Sequence, residues 1–357
     1  MAPGKTEVPS GRRRKPAAPA AKAAAKPVPK KAVPEKAGTA AEGIRTCFLG
    51  VDSMGLAVLS RLRTPAVTGA RTVLADSRAG RPPRGVADAE FVFDRKLALE
   101  SGDDAPPLVE ARGRLGESLS EADLVFLFAE ADAGETAPLV RQVVLALGGV
   151  KKRQRVLAFT CHSQASSRRS NNLTRRLGKV CDSVVNYFGA EGLVRRDRGL
   201  VAPRRRAVED IAAFADAVAV SAMEPGTLSL DLADLVAVMT ARGKILWGRG
   251  EGSGEDRAAR AVGAALDDGR GGGLDLAGAG VLMVMTTGDE NLKMRELEIV
   301  NRAFLDRAGE QARVFSGVGF DGAPGRVRIF FLASGLPLPR WKADNDRYFR
   351  VTEWRRK

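Results

Sequence analysis

The chain has little of the chemistry that metal centres and disulfide frameworks need. Of 357 residues only three are cysteine, Cys47, Cys161 and Cys181, and one is histidine, His162. The cysteines have no paired spacing, and with a single histidine they make no metal-ligand set. They read as reduced thiols of a cytoplasmic protein. Aromatic residues are scarce too, at 5% of the chain. No apolar run reaches the ~18 residues that a membrane-spanning helix requires. The first residues are charged and rich in alanine and proline, so no secretory leader is expected. The Gly-x-Gly-x-x-Gly fingerprint is missing at the first strand-to-helix turn, around Gly50 to Gly55, which sets aside a dinucleotide-binding dehydrogenase.

What the chain does have is positive charge, in one place above all. The net charge is +14, and residues 1–43 carry ten Lys and Arg against three Glu, half of that excess. This segment is alanine, proline and lysine with almost no large apolar side chains. It cannot bury enough surface to offset the entropy of ordering, so it is expected to be disordered. Such a tail could meet nucleic acid or an anionic membrane, or serve as a solvated linker. The remaining length suits two domains.

From Ile44 the pattern changes. Strands are predicted at 44–51, 72–76, 91–93, 122–128 and 155–159, with helices at 54–62, 108–119 and 137–147 between them. Strands alternating with helices predict a parallel sheet covered on both faces, with ligands beyond the carboxyl ends of its strands. Residues 207–223, AVEDIAAFADAVAVSAM, predict a helix that is apolar nearly all round and therefore buried. The C-terminal part predicts helices at 256–266 and 292–308 and strands at 280–286, 313–318 and 326–333, an α+β pattern.

The most telling stretch is Pro225 to Met239, PGTLSLDLADLVAVM. A helix beginning near Leu230 puts Asp231 and Asp234 on one face of its first turn. Capping alone accounts for both acids, because a helix N-terminus favours negative charge. The stretch also resembles the synergy loop of FtsZ, the bacterial tubulin homologue, whose two acids fall on Asp231 and Asp234 and whose asparagine falls on Ser229. The likeness continues through Gly243-Lys244-Ile245-Leu246-Trp247-Gly248-Arg249-Gly250, through Ser253-Gly254-Glu255-Asp256-Arg257-Ala258, and through Gly278-Ala279-Gly280-Val281.

The resemblance implies an α/β, FtsZ/tubulin-like fold: a parallel-sheet, nucleotide-binding-type domain joined by a central helix to a smaller α+β domain. The implied partition is a tail at 1–43, a GTPase-like domain at 44–206, the central helix at 207–224, the α+β domain at 225–336 and a basic aromatic tail at 337–357. That last tail, with Trp341, Tyr348, Phe349 and Trp354, reads as a partner- or membrane-facing peptide or as a frayed end. In this family Asp231 and Asp234 would act in trans, on the nucleotide of the next subunit in a head-to-tail filament. Around GTP the resemblance places Gly50, Gly55, Asp76, Gly134, Thr136 and, as reader of the guanine, Glu209 or Asp210.

The phosphate loops depart from the family. Between Gly50 and Gly55 stand Val51, Asp52, Ser53 and Met54, so a carboxylate sits where phosphate charge would be. The second loop keeps Gly134 and Thr136 but holds Glu130, Asp132 and Glu135. Each close carboxylate–phosphate pair costs about 4 kcal/mol at an effective dielectric near 20. Mg²⁺ could bridge them. Arg168, Arg169, Arg175, Arg176 and Lys179, and Arg195, Arg196, Arg198, Arg204, Arg205 and Arg206, could hold phosphate by side chain, attract nucleic acid or form solvated surface. The expectation is a cytoplasmic filament subunit at the division site, with GTP and Mg²⁺ as possible ligands or none bound, and with hydrolysis weak or lost. The alternative is a pseudo-GTPase that co-assembles with a true FtsZ or tethers nucleic acid or membrane.

Overall fold

The structure, a computed structural model, describes residues 44–336 apart from 64–68, 78–84, 131–135, 150–153, 163–173, 189–200, 224–229, 242–243, 268–275, 310, 321 and 323. All of these described residues belong to one compact unit.

The larger sheet holds β1 (Thr46–Val51), β2 (Arg71–Asp76), β3 (Ala89–Val92), β4 (Leu124–Glu130), β5 (Arg155–His162) and β6 (Ser183–Phe188), in the order β3-β2-β1-β4-β5-β6. Every pairing is parallel. The strands read as continuous apolar runs because both faces are covered. Period-two alternation sends Phe48, Phe126, Phe128 and Phe159 into one core and Cys47, Leu49, Val125 and Leu127 into the other. The second core is closed by α3 (Pro106–Ser120) and α4 (Ala137–Gly149), and the short α2 (Arg95–Glu100) lies against α4. The first core is closed by α1 (Asp52–Leu59) and by the long α5 (Val201–Met223).

Register in this sheet is set by a device used three times. Asp88, Asp123 and Asp182 each sit immediately before a strand. Each accepts the backbone N–H of a residue at the start of the neighbouring strand: Thr72 at 2.7 Å, Arg45 at 3.1 Å and Val156 at 2.8 Å. Arg45 and Arg155 add ion pairs to Asp123 and Asp182. A parallel pair has no hairpin to fix its register, and these carboxylates do it instead.

Helix α5 begins at Val201, six residues before the start predicted from its apolar run. Pro203 falls in the first turn, where a missing N–H costs nothing, so the arginines that follow continue the helix instead of preceding it. The all-round apolar character of its centre has a direct cause. Ala207, Ile211, Phe214 and Val218 share one core with Phe159 of the larger sheet and with Trp247, Met283 and Phe330 of the smaller one.

The smaller sheet is mixed, in the order β7 (Lys244–Ser253), β10 (Arg326–Leu336), β8 (Val281–Gly288), β9 (Arg313–Phe320). On one face lie α7 (Arg257–Leu266) and α8 (Met294–Ala308); on the other lie α5 and α6 (Leu232–Thr240). Gly248, Gly250 and Gly252 alternate along one face of β7. A Cβ on Gly250 would land on the backbone of Ala261 and Ala265, so these glycines let α7 rest directly on the strand.

Candidate functional site

The strand order reverses between β1 and β4, and the crevice beyond their carboxyl ends is where a doubly wound sheet binds its ligand. Strand β1 passes into α1 with no intervening loop. The turn is made by Asp52, buried at 6% exposure and with φ 55°, the one non-glycine among the described residues with positive φ. Gly50 and Gly55 flank it. A Cβ on Gly50 would come within 2.8 Å of the Gly55 carbonyl carbon, and one on Gly55 would strike the Gly50 backbone. The two glycines thus serve each other, letting strand and helix touch.

Asp52 directly follows β1, while Asp76 and Glu130 are the last residues of the neighbouring β2 and β4. Three carboxylate-bearing residues therefore lie at the carboxyl ends of three adjacent strands. Asp76 is buried, and its carbonyl accepts the Phe93 N–H at 2.8 Å. Thr136, also buried, donates its hydroxyl to the Glu130 carbonyl at 3.4 Å and accepts the Val140 N–H, which starts α4. Gly134, Asp132 and Glu135 lie outside the described residues. Carboxylates at this end of the sheet oppose the charge of a triphosphate. Among the described residues no group of three or more His, Cys, Asp or Glu is arranged to hold a metal ion.

The two candidates for the guanine contact separate clearly. Glu209 is exposed and pairs with Arg205 at 2.9 Å, one helical turn away. Asp210 points inward with its side chain 3% exposed. Its Oδ1 accepts from Arg249 Nη1 at 2.5 Å and its Oδ2 from the Tyr187 hydroxyl at 2.9 Å.

Asp231 and Asp234 form a reciprocal cap on α6. Asp231, in extended conformation, accepts the Asp234 N–H at 2.7 Å, and Asp234 accepts the Asp231 N–H at 3.3 Å. Burial raises the Asp234 carboxyl above the ordinary aspartate range, an effect opposed by the Asp231 N–H and reinforced by the Asp231 charge. The run before them, 224–229, lies outside the described residues.

Sequence reasoning missed the roles of two arginines. Arg249 stood in the quoted glycine-rich run with no partner assigned. Arg257, quoted in the next run, is buried and bound to Asp289 at 2.9 Å, to Glu296 at 2.7 and 3.0 Å and to the Asn291 carbonyl at 3.0 Å. Asp289 is held below its usual range first by the Gly325 N–H, and Glu296 first by the Arg257 guanidinium. The sequence signal for this cluster was an arginine at the first position of a helix whose other residues, Arg260 apart, are small or apolar. Strands β6 and β7 were also missed: the apolar run of β6 is short and broken by Asn186, and β7 alternates with glycine.

With this geometry in place, comparison with known proteins is informative. Residues 243–337 match the model of the FtsZ family, C-terminal domain. The cell division protein FtsZ of Caulobacter vibrioides is 25% identical over 315 residues, covering 82% of this chain; the chain spans 60% of that relative's length. Among solved structures, an FtsZ dimer of M. jannaschii superposes with a TM-score of 0.70 at 21% identity, over 82% of this chain and 88% of that one. A GTPγS-bound protofilament of CetZ2 from Haloferax volcanii superposes with a TM-score of 0.60 at 15% identity, over 82% and 93%. A six-stranded parallel sheet beside a smaller mixed sheet is the fold of these FtsZ and CetZ structures, and the sequence is similar to FtsZ over most of the described chain.

Proposed function

We propose that this FtsZ-like chain is a head-to-tail filament subunit of a cell-division cytoskeleton, cytoplasmic and placed at the division site, in which GTP hydrolysis is weak or lost. A heterologous contact that does not close on itself propagates into a filament, and relatives of this fold are known as protofilaments. The domain partition read from the sequence, with the N-terminal α/β part and the C-terminal part meeting on the central helix, belongs to this reading.

The observation that carries the weakened-GTPase half is the β1–α1 turn. Where phosphates would approach backbone N–H groups, the chain presents the buried Asp52 and glycines packed against each other. A carboxylate at that point opposes phosphate charge by about 4 kcal/mol at close range. Asp231 and Asp234 would then keep a place at the subunit contact with little nucleotide for them to act on. Residues 1–43 supply ten basic side chains that suit an anionic polymer or lipid surface.

The test is light scattering and pelleting of the purified chain, alone and mixed with an ordinary FtsZ, with and without GTP, together with phosphate release in Mg²⁺. The expected result is assembly insensitive to GTP and little phosphate released. Turnover comparable with an ordinary FtsZ would sink the weakened-GTPase reading. Absence of any assembly, alone or mixed, would sink the filament reading. Binding of DNA or of anionic vesicles that persists after removal of residues 1–43 would sink the role given to the tail.

A further inference from the structure

We propose that the outer edge of β9 is a docking site for an added strand, and that its occupant is residues 347–354 of this chain, paired parallel to β9. The site lies on a face that neither the crevice nor the α6 cap uses, and it stands apart from the filament reading.

Each sheet ends in two edge strands, and among the described residues only β9 leaves its edge open and unguarded. Strand β3 is four residues long and carries Glu90. Strands β6 and β7 lie against each other. Strand β9 runs for eight residues, RVFSGVGF, with a charge only at Arg313 and with no proline. Its register with β8 is unbroken from Arg313 to Phe320, so no bulge turns the edge away. Among the described residues no strand pairs with its other side. Alternate residues of such a strand present N–H and C=O groups outward, a template for another strand.

The shelf beside that edge is apolar. On α8, Glu296 bonds Arg257 of α7 and marks one flank, while Asn301 accepts from the Ser316 hydroxyl of β9 at 2.6 Å and marks the other. At 100° per residue, Met294 and Leu305 fall within about 40° of Asn301, on the flank toward β9. They are 63% and 41% exposed, and Phe320, on the same face of β9 as Ser316, is 55% exposed. Strand addition uses this pairing of features: main-chain bonds give affinity and flanking side-chain sites give specificity.

The chain itself supplies a strand of matching length. Residues 347–354, RYFRVTEW, are β-branched or aromatic at five of eight positions. Strand β10 ends at Leu336; its Ser334 pairs with Val281, which pairs with Arg313, so the chain leaves the sheet at the end where β9 begins. From β10 past β8 and β9 to an outer strand is three strand spacings, about 14 Å. Residues 337–346, opening Pro-Leu-Pro and closing Asp-Asn-Asp, reach about 33 Å when extended, ample for the crossing. Entering at that end, the segment runs parallel to β9. With Tyr348 beside Val314, alternation sets Tyr348, Arg350, Thr352 and Trp354 on the α8 face. Tyr348 then covers Leu305, Arg350 reaches the exposed Glu298, and Trp354 covers Met294 and Phe320.

The experiment is amide hydrogen exchange on the full chain and on full-length Val351→Pro, below the concentration at which light scattering rises. A proline removes a ladder N–H from the segment, and Val351 belongs to neither sheet. The expected result is that amides of β9 and of 347–354 exchange roughly tenfold more slowly in the parent than in the variant, with those of β4 alike in both. Equal exchange of β9 in the two chains overturns the proposal. So does exchange of 347–354 in the parent at the rate of an unstructured peptide. Protection that accompanies a dimer in sedimentation and vanishes with it in the variant overturns it too, because the strand then comes from a second copy.

Discussion

The reciprocal cap on α6 allows the two roles of its acids to be pulled apart. Asp231→Ala removes the acceptor of a 2.7 Å hydrogen bond from the Asp234 N–H. Loss of such a cap costs about 1 kcal/mol, or roughly 2–4 °C in a domain of this size. Asp234→Ala removes a longer contact, 3.3 Å to the Asp231 N–H, and a favourable charge at the helix start worth about 0.3–1 kcal/mol. Burial opposes the ionisation of Asp234, so its net loss falls at the low end of that range. The two bonds form one unit, and the double variant should cost less than the two single changes added together. Melting by circular dichroism and assembly by light scattering are measured on the same preparations. If the acids are caps and nothing more, the melts fall in the order given and scattering is unchanged. Scattering abolished by Asp234→Ala at an unshifted melt would refute this and return the pair to a role at the subunit contact. If that scattering also required GTP, the weakened-GTPase reading would fall with it.

Other outcomes follow from the same geometry. Gly250→Ala drives a Cβ into the backbone of α7, where no rotamer change gives relief, and should cost about 3 kcal/mol or abolish folding, whereas Gly263→Ala, in open space inside α7, should gain about 0.5–1 kcal/mol; chemical denaturation of the two distinguishes them, and equal effects would contradict the packing described. Asp123, held low first by its hydrogen bonds from Arg45, and Asp289 and Glu296, held low by the Gly325 N–H and by Arg257, stabilise the fold above their ordinary values near about 4 and lose that contribution as pH falls, while Asp234 works in the opposite sense. Stability should therefore drop on acidification below about pH 4, less steeply in Glu296→Gln; a variant with the same acid limb as the parent would show the pair is not linked to folding. Removal of residues 1–43 should leave the melting temperature within roughly a degree, and a fall of several degrees would show that the segment packs on the body.

How far the sequence could be read depended on the distance over which each feature is decided. The buried strands of the larger sheet, β6 apart, were legible because burial on both faces writes itself as continuous apolar runs, as in Leu124 to Phe128. The cap on α6 was legible because Asp231 and Asp234 lie within one turn. The class of fold was legible because strands alternating with helices mark a parallel sheet covered on both faces. The start of α5 was misplaced because its first turns, 201–206, lack the apolar run by which the helix was read.

What only the tertiary structure decided were partnerships between distant residues. Asp88, Asp123 and Asp182 resemble any acid in a turn until the neighbouring strand supplies its N–H group. Gly50 and Gly55 read as a remnant of a phosphate loop, and their contact with each other is visible only when α1 lies back along β1. Asp210 and Glu209 could not be separated by sequence, since one residue of helix rotates a side chain by about 100°. The fold turns one to solvent beside Arg205 and the other inward to Arg249, 39 residues further along the chain. Local sequence sets which way a helix or strand can face, but the counter-charge of a buried carboxylate comes from whichever element the chain folds against it.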